Sequence, residues 1–143
     1  MGDTDRKRYS ADVLLSEFFA QDDLRALAAD TGALLECPIL VLDDTFHVTA
    51  HHRPLGFHDP LFQDAIRQGQ ITYEAGAIIA QSAALTAGRA DYVKMEGSDY
   101  HRRFAPLISS GVRLGYLICV DTDGHLQDIP TEIWTTVEQV LAK

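Results

Sequence analysis

Cysteine is scarce in this sequence. Cys37 and Cys119 are the only two, both in apolar surroundings and far from any CxxC or Cys/His spacing. That excludes the usual zinc and dithiol arrangements. The two read as reduced, buried small hydrophobes, with a single disulfide between them as the alternative. Long apolar runs are missing as well. No segment approaches the ~18 residues a membrane span needs, and the N-terminal MGDTDRKRYSAD lacks the apolar stretch of a secretory signal. The expected address is the cytoplasm, without membrane attachment. Positive charge is in short supply: 12 Lys and Arg stand against 21 Asp and Glu, a formal net charge of −9. Such a surface opposes the phosphate neutralisation behind most non-specific nucleic-acid affinity, so this chain is not expected to hold DNA by itself. The one basic run, Arg6-Lys7-Arg8, reads as part of a solvated polar tail over residues 1–9. Catalytic signatures are lacking too. There is no G-x-S-x-G and no glycine run of the P-loop or Rossmann kind, and Ser109-Ser110 sits at a hairpin tip without a neighbouring base. No catalytic residue, resident metal or cofactor is expected, and the chain is not read as an enzyme.

What is present is enough apolar material for one core. A chain of 143 residues with 46% hydrophobic content fits one domain over 1–143. Ser10 caps a helix with Leu14, Leu15, Phe18 and Phe19 on one side, and Asp22-Asp23 open a second, with Leu24, Leu27, Leu34 and Leu35 at helical spacing. The period then changes. Ile39 to Leu42 is a short buried run, Asp43-Asp44-Thr45 is turn chemistry, and Phe46, Val48 and Ala50 alternate with His47, Thr49 and His51, which predicts a β-hairpin. Asp59-Pro60 supplies an N-cap with proline at the first helical position, and Gly69 suits a left-handed stop. The Ala-rich stretch from Thr72 to Gly88 predicts one further helix despite Gly76, and Asp91 to Glu96 a short strand. A long hairpin follows over Phe104–Val120, with Ser109-Ser110-Gly111 at its tip. Asp128 and Pro130 then open a last helix carrying Ile129, Ile133, Trp134, Val137, Val140 and Leu141. Antiparallel hairpins interrupted by helices, with helices at both ends, argue an α+β domain built on one antiparallel sheet.

Two residues stand out within the long hairpin. Gly115 in mid-strand points to close approach by an opposite strand or a ligand, or to a tightly packed helix, and Pro106 points to an edge, an end or a bulge. The histidines His47, His51, His52 and His58 are dense enough to raise metal or haem ligation. They lack a completing carboxylate or cysteine spacing and read as the polar face of a half-exposed strand, or as titrating groups on a ligand side.

PILVLDDTFHVTAH, then an insert beginning DPLF, then RRFAPLISSGVRLGYLICV and an amphipathic helix form a combination that resembles a known family. It is similar, over roughly Leu24 to Leu141, to the GAF-like sensor domains found at the N-terminus of bacterial helix-turn-helix regulators of the PucR/CdaR type. The most specific piece is Ala105-Pro106-Leu107, Gly111 and Leu114-Gly115-Tyr116-Leu117. The resemblance implies a GAF/PAS-like fold, with a central sheet of about five strands, terminal helices on one face and a helical insert closing a ligand side on the other. The Asn-Lys and Asp-Glu signature of cyclic-nucleotide-binding relatives is absent, as are the cysteines of the bilin-binding and methionine-sulfoxide-reducing ones.

Within this frame the candidate ligand cluster is Phe57, His58, Phe62, Tyr73, Tyr92, Met95, Tyr100 and Arg102, with Ile78 and Arg103 beside it. It combines aromatic and soft apolar surface with charge for an anionic group. The candidate dimer surface is Leu14, Leu15, Phe18, Phe19, Trp134, Val137 and Leu141; the alternative is that both helices simply cover the sheet of a monomer. VEQVLAK breaks off while the apolar spacing still runs, so the chain is expected to continue or its helix to pair with another. Two functions are consistent with this reading. One is a metabolite sensor that passes its state through a homodimer to a DNA-binding domain outside this chain. The other is a dimerisation or interaction scaffold with a filled interior. A cavity of about 300 Å³ or more separates them.

Overall fold

The computed structural model describes residues 23–95 and 97–142. Leu14, Leu15, Phe18 and Phe19 lie outside these residues. The described chain runs α1 (Leu24–Leu35), β1 (Ile39–Asp43), β2 (Val48–His52), α2 (Pro60–Gln68), α3 (Tyr73–Gln81), α4 (Ala83–Thr86), β3 (Asp91–Lys94), β4 (His101–Ser109), β5 (Val112–Asp121), a 3-10 turn (His125–Asp128) and α5 (Thr131–Leu141). The strands form one antiparallel sheet in the order β2-β1-β5-β4-β3, the expected α+β architecture.

Strand periodicity sends alternate side chains to two separate cores. From β5, Leu117 and Cys119 pack with Ile39, Leu35, Trp134 and Val137 under α1 and α5. Tyr116, Ile118 and Val120 pack on the opposite face with Leu40, Phe62 and Phe104, beneath the short helices α2, α3 and α4. β5 is therefore buried on both faces from Gly115 onward. Cys37 and Cys119 are both free and buried. Their mutual hydrogen bond, burial and the nearby carboxylates hold the Cys37 thiol well above its ordinary pKa, so it stays protonated.

Local chemistry sets the boundaries. Asp23 caps α1 by accepting from the Arg25 amide at 3.0 Å, and the chain leaves that helix through Glu36 in the left-handed region, with φ 55°. Ser110 and Gly111, with φ 52° and 77°, turn the long hairpin, as left-handed pairs do in tight two-residue turns. Three expectations need correction. The stretch Thr72–Gly88 is two helices rather than one. Ser82 adopts an extended backbone, accepts from the Leu85 amide at 3.1 Å and donates to Asp91 Oδ2 at 2.7 Å, so its side chain restarts the helix instead of continuing it. In the first hairpin, a bulge between Val41 and Leu42 leaves Ala50 opposite Val41 and Val48 opposite Leu42. Ala50 and Val48 consequently enter different cores, and the alternation does not carry from His47 to His51. Ile129 is buried in the connection before α5, whose first residue is Thr131. Among the described residues no helix is long and apolar enough to cross a membrane.

The two unusual strand residues have distinct causes. Pro106 sits where β4 has β5 on one side and has already passed the end of β3, which pairs only as far as Phe104, so the missing N–H breaks no ladder on the open side. Gly115 lies opposite Asp43 in β1 and Leu107 in β4. A Cβ there would fall on the Leu42 carbonyl oxygen. What approaches is thus the neighbouring strand's backbone rather than a helix or a ligand. Gly115→Ala is expected to destabilise the chain by about 3 kcal/mol, the upper end of the usual overpacking range, measured by urea unfolding. An unchanged midpoint would contradict this account of the β1–β5 contact.

Candidate functional site

The face of the sheet opposite α1 and α5 carries one buried ionic network. Arg102 lies between Val93 of β3 and Val120 of β5 and shares its strand face with Phe104, so its guanidinium enters the second core at 3% exposure. A charge in that position requires a partner. Asp59, 2% exposed, provides it, with Arg102 Nη2 donating to Asp59 Oδ2. The same carboxylate caps α2, accepting from the Phe62 amide at 3.0 Å, and Pro60 pre-sets the first helical turn. Ser98 completes the triangle. Its hydroxyl donates to Asp59 Oδ1 at 2.5 Å and accepts from Arg102 Nη1 at 2.8 Å, while Nη1 also donates to the Tyr100 carbonyl at 3.3 Å. One ion pair thus ties the sheet, Ser98 with the Tyr100 carbonyl, and the start of α2.

Beside Arg102, α2 and α3 close over the sheet on a cavity of about 20 Å³. Its walls include Leu40, Phe62, Ile71, Met95, Phe104 and Ile118; Thr72 and Arg102 are the polar members. That volume admits about one water. Of the expected cluster, Phe62, Met95 and Arg102 line the cavity. Phe57 packs edge-on against Phe62 with ring centres 5.4 Å apart and lies 5.6 Å from Tyr100, extending the same apolar wall. His58 is exposed beside Gln63 and, with Phe57 and Tyr100, borders a separate open hollow of about 460 Å³. The others stand apart: Tyr73 is 94% exposed, and Ile78 is half-buried against the second core. Tyr92 is on the opposite face, with its hydroxyl donating to Asp121 and its ring stacked on His101. Arg103 also faces that way, 3.8 Å over the Trp134 ring and paired with Glu138 at 2.9 Å. Trp134, Val137 and Leu141 are buried within the chain's own first core.

Sequence reasoning did not connect Arg102 with Asp59 or Ser98. The signal was the parity of Arg102 with Phe104, which implies burial and hence a carboxylate partner.

A second polar cluster follows β5. Asp121, Asp123 and His125 place one ligand atom each within 4.8 Å of one another, and among the described residues they are the only such group able to hold a metal; His47 and His51 join none. Each already has partners in the chain: Asp121 accepts from the Gly124 amide at 2.8 Å, His125 Nδ1 meets Asp123, and His125 Nε2 lies 2.6 Å from the Leu35 carbonyl. Burial pulls the His125 pKa down, but the Leu35 carbonyl and the Asp123 carboxylate outweigh it, so the net shift is upward from 6.5. His51 and His52 shift the other way, chiefly through burial.

Two outcomes follow. Asp59→Ala leaves the Arg102 charge buried without a partner and uncaps α2, and is expected to cost about 3–5 kcal/mol in urea unfolding; Asp59→Asn/Arg102→Met, which buries no charge, is expected to cost less. A double variant as unstable as Asp59→Ala would refute the pairing argument. A raised His125 value means that its contribution to stability is complete below pH about 6.5 and is lost as pH rises through the folded pKa. His125→Gln is expected to flatten that segment of the stability–pH curve.

No protein-family profile matches the sequence, and no curated protein sequence does. Solved structures do match. The cofactor-binding GAF domain of the nutrient sensor CodY from Clostridium difficile superimposes with a TM-score of 0.59 at 15% identity, over 99% of this chain and 96% of that one. The GAF domain of a phosphoenolpyruvate-protein phosphotransferase from Coxiella burnetii gives 0.62 at 14% identity, over 92% and 88% of the two chains. Its counterpart from Acinetobacter gives 0.55 at 12%, over 92% and 90%. With its central five-stranded antiparallel sheet and a helical layer on each face, this chain has the fold of GAF domains.

Proposed function

We propose that this chain is a small-molecule-sensing regulatory domain. The observation that carries the reading is the division of the molecule into unequal halves. One sheet face is sealed by the long helices α1 and α5, whereas the other is roofed by short helices and loops around one buried ion pair, Arg102–Asp59. Short, separately capped segments open at lower cost than a packed helical layer, and binding sites are drawn from such regions. The finer reading follows the PucR/CdaR-like pattern in the long hairpin. The domain belongs to a bacterial transcriptional regulator, works as a homodimer in the cytoplasm, and passes ligand state to a DNA-binding domain outside this chain. In this reading it is not an enzyme. Of the candidate dimer surface, Leu14, Leu15, Phe18 and Phe19 are left for the contact, because Trp134, Val137 and Leu141 are buried in the chain's own first core.

The cavity beside Arg102, of about 20 Å³, favours a second reading, an interaction scaffold with that part of its interior filled by its own side chains, whereas an open hollow of about 460 Å³ bordered by Phe57, His58 and Tyr100 exceeds the size a sensor needs. Sensing beside Arg102 therefore requires that α2 or α3 move. A thermal-shift screen against nucleobases, amino acids, organic acids and divalent metals separates the two. A ligand at 100 times its Kd is expected to stabilise a sensor by about 2.7 kcal/mol. A flat panel, combined with a stable dimer in sedimentation, would instead support the scaffold.

A further inference from the structure

We propose that the ligand is a compact aliphatic carboxylate, that Arg102 is its seat, and that Asp59 is a built-in competitor for that seat; this rests on the sensor reading above. The cavity beside Arg102 has room for about one water. Any organic ligand must therefore lift part of the roof, which is formed by Leu61, Phe62 and Ala65 of α2 and by Thr72 and Ala75 at the start of α3. α2 begins at Asp59, and Asp59 is the carboxylate that neutralises Arg102. Displacing α2 pulls that carboxylate away. The backbone of Arg102 does not follow, because it is paired in the middle of β4 with Val93 and Val120, and its guanidinium keeps its bonds to the Ser98 hydroxyl and the Tyr100 carbonyl.

The charge of the ligand follows from this geometry. A neutral or cationic molecule that lifted α2 would leave a guanidinium in an apolar core without a counter-charge, a strongly unfavourable state. An anion takes over the vacated contacts. A carboxylate matches the planar fork of arginine and is no larger than the group it replaces. The exchange is close to symmetric, one carboxylate for another, so its ionic part contributes little net free energy. The driving force is then burial of the ligand's apolar body against Leu40, Ile71, Met95, Phe104 and Ile118. Once released, Asp59 becomes hydrated and can still cap its helix. Ligand binding and detachment of the start of α2 become the same event, which gives the domain two states that differ at its surface.

The test uses the 143-residue chain and isothermal titration with straight and branched alkanoates of two to six carbons, each paired with its primary amide. Carboxylates are expected to bind at least tenfold tighter than the matched amides, with amide NMR shifts concentrated over residues 59–68. Asp59→Asn, which removes the competitor, is expected to tighten carboxylate binding at least tenfold. Should that variant not fold, Asp59→Asn/Arg102→Met carries the test, because it buries no charge; it is expected to lose the preference for carboxylates over amides. Amides that bind as tightly as carboxylates, or a double variant that retains the preference, would overturn the proposal while leaving the sensor reading intact. So would binding confined to nucleobases or metals in the wider screen. No binding by any class would overturn both.

Discussion

The position of β5 constrains everything else in this molecule. It pairs with β1 on one side and β4 on the other, and its two faces feed two cores that share no side chains. A strand in that position must be apolar on both faces, as the run from Tyr116 to Val120 is. It must also let two ladders close at once, and the tightest point is Gly115, where no side chain fits against the Leu42 carbonyl. The glycine is thus a condition of the sheet rather than a feature of a binding site.

The two cores are built by different means. Beneath α1 and α5 the packing is almost wholly apolar, from Leu35 and Ile39 to Trp134 and Val137, and its polar neighbours, Arg103–Glu138 and Tyr92–Asp121, lie toward its margin. On the other face, three short helices depend on side-chain caps: Asp59 for α2, Thr72 for α3 and Ser82 for α4. Two of those caps reach beyond their own helix. Asp59 pairs with Arg102 in β4, and Ser82 donates to Asp91 at the start of β3. A layer assembled from such contacts is held by directional interactions at a few points, whereas the opposite layer is held by area. A few points can be exchanged one at a time; a large apolar contact is lost all at once.

Much of this architecture was legible in the sequence because it is written in period and punctuation. The five strands, the Asp59-Pro60 start, the Gly69 stop and the Ser110-Gly111 turn all follow from local rules. The failures also have local causes. The bulge at Val41/Leu42 reverses a face without changing composition, and Ser82 interrupts an alanine-rich helix through a hydrogen bond to Asp91, nine residues away. The candidate site was less legible. Phe57, Phe62, Met95, Tyr100 and Arg102 do gather on one face, but Tyr92 differs from its neighbour Val93 by strand parity alone, and that single step places it in the other layer. The Asp59–Arg102 pairing spans 43 positions, so neither periodicity nor motif encodes it.

That long-range pair also explains why a filled interior and a binding function are compatible. An ion pair buried in an apolar core adds little net stability over a well-packed apolar substitute, yet it is costly to break without replacement. Here it joins a fixed strand to the first turn of a short helix, so it makes the closed roof specific without making it especially stable. Apolar side chains in place of both groups would close the same space and leave nothing to exchange. On the proposed reading the charge on Arg102 makes the roof selective: of the molecules able to enter beneath α2, it favours those that supply the anion which Asp59 withdraws.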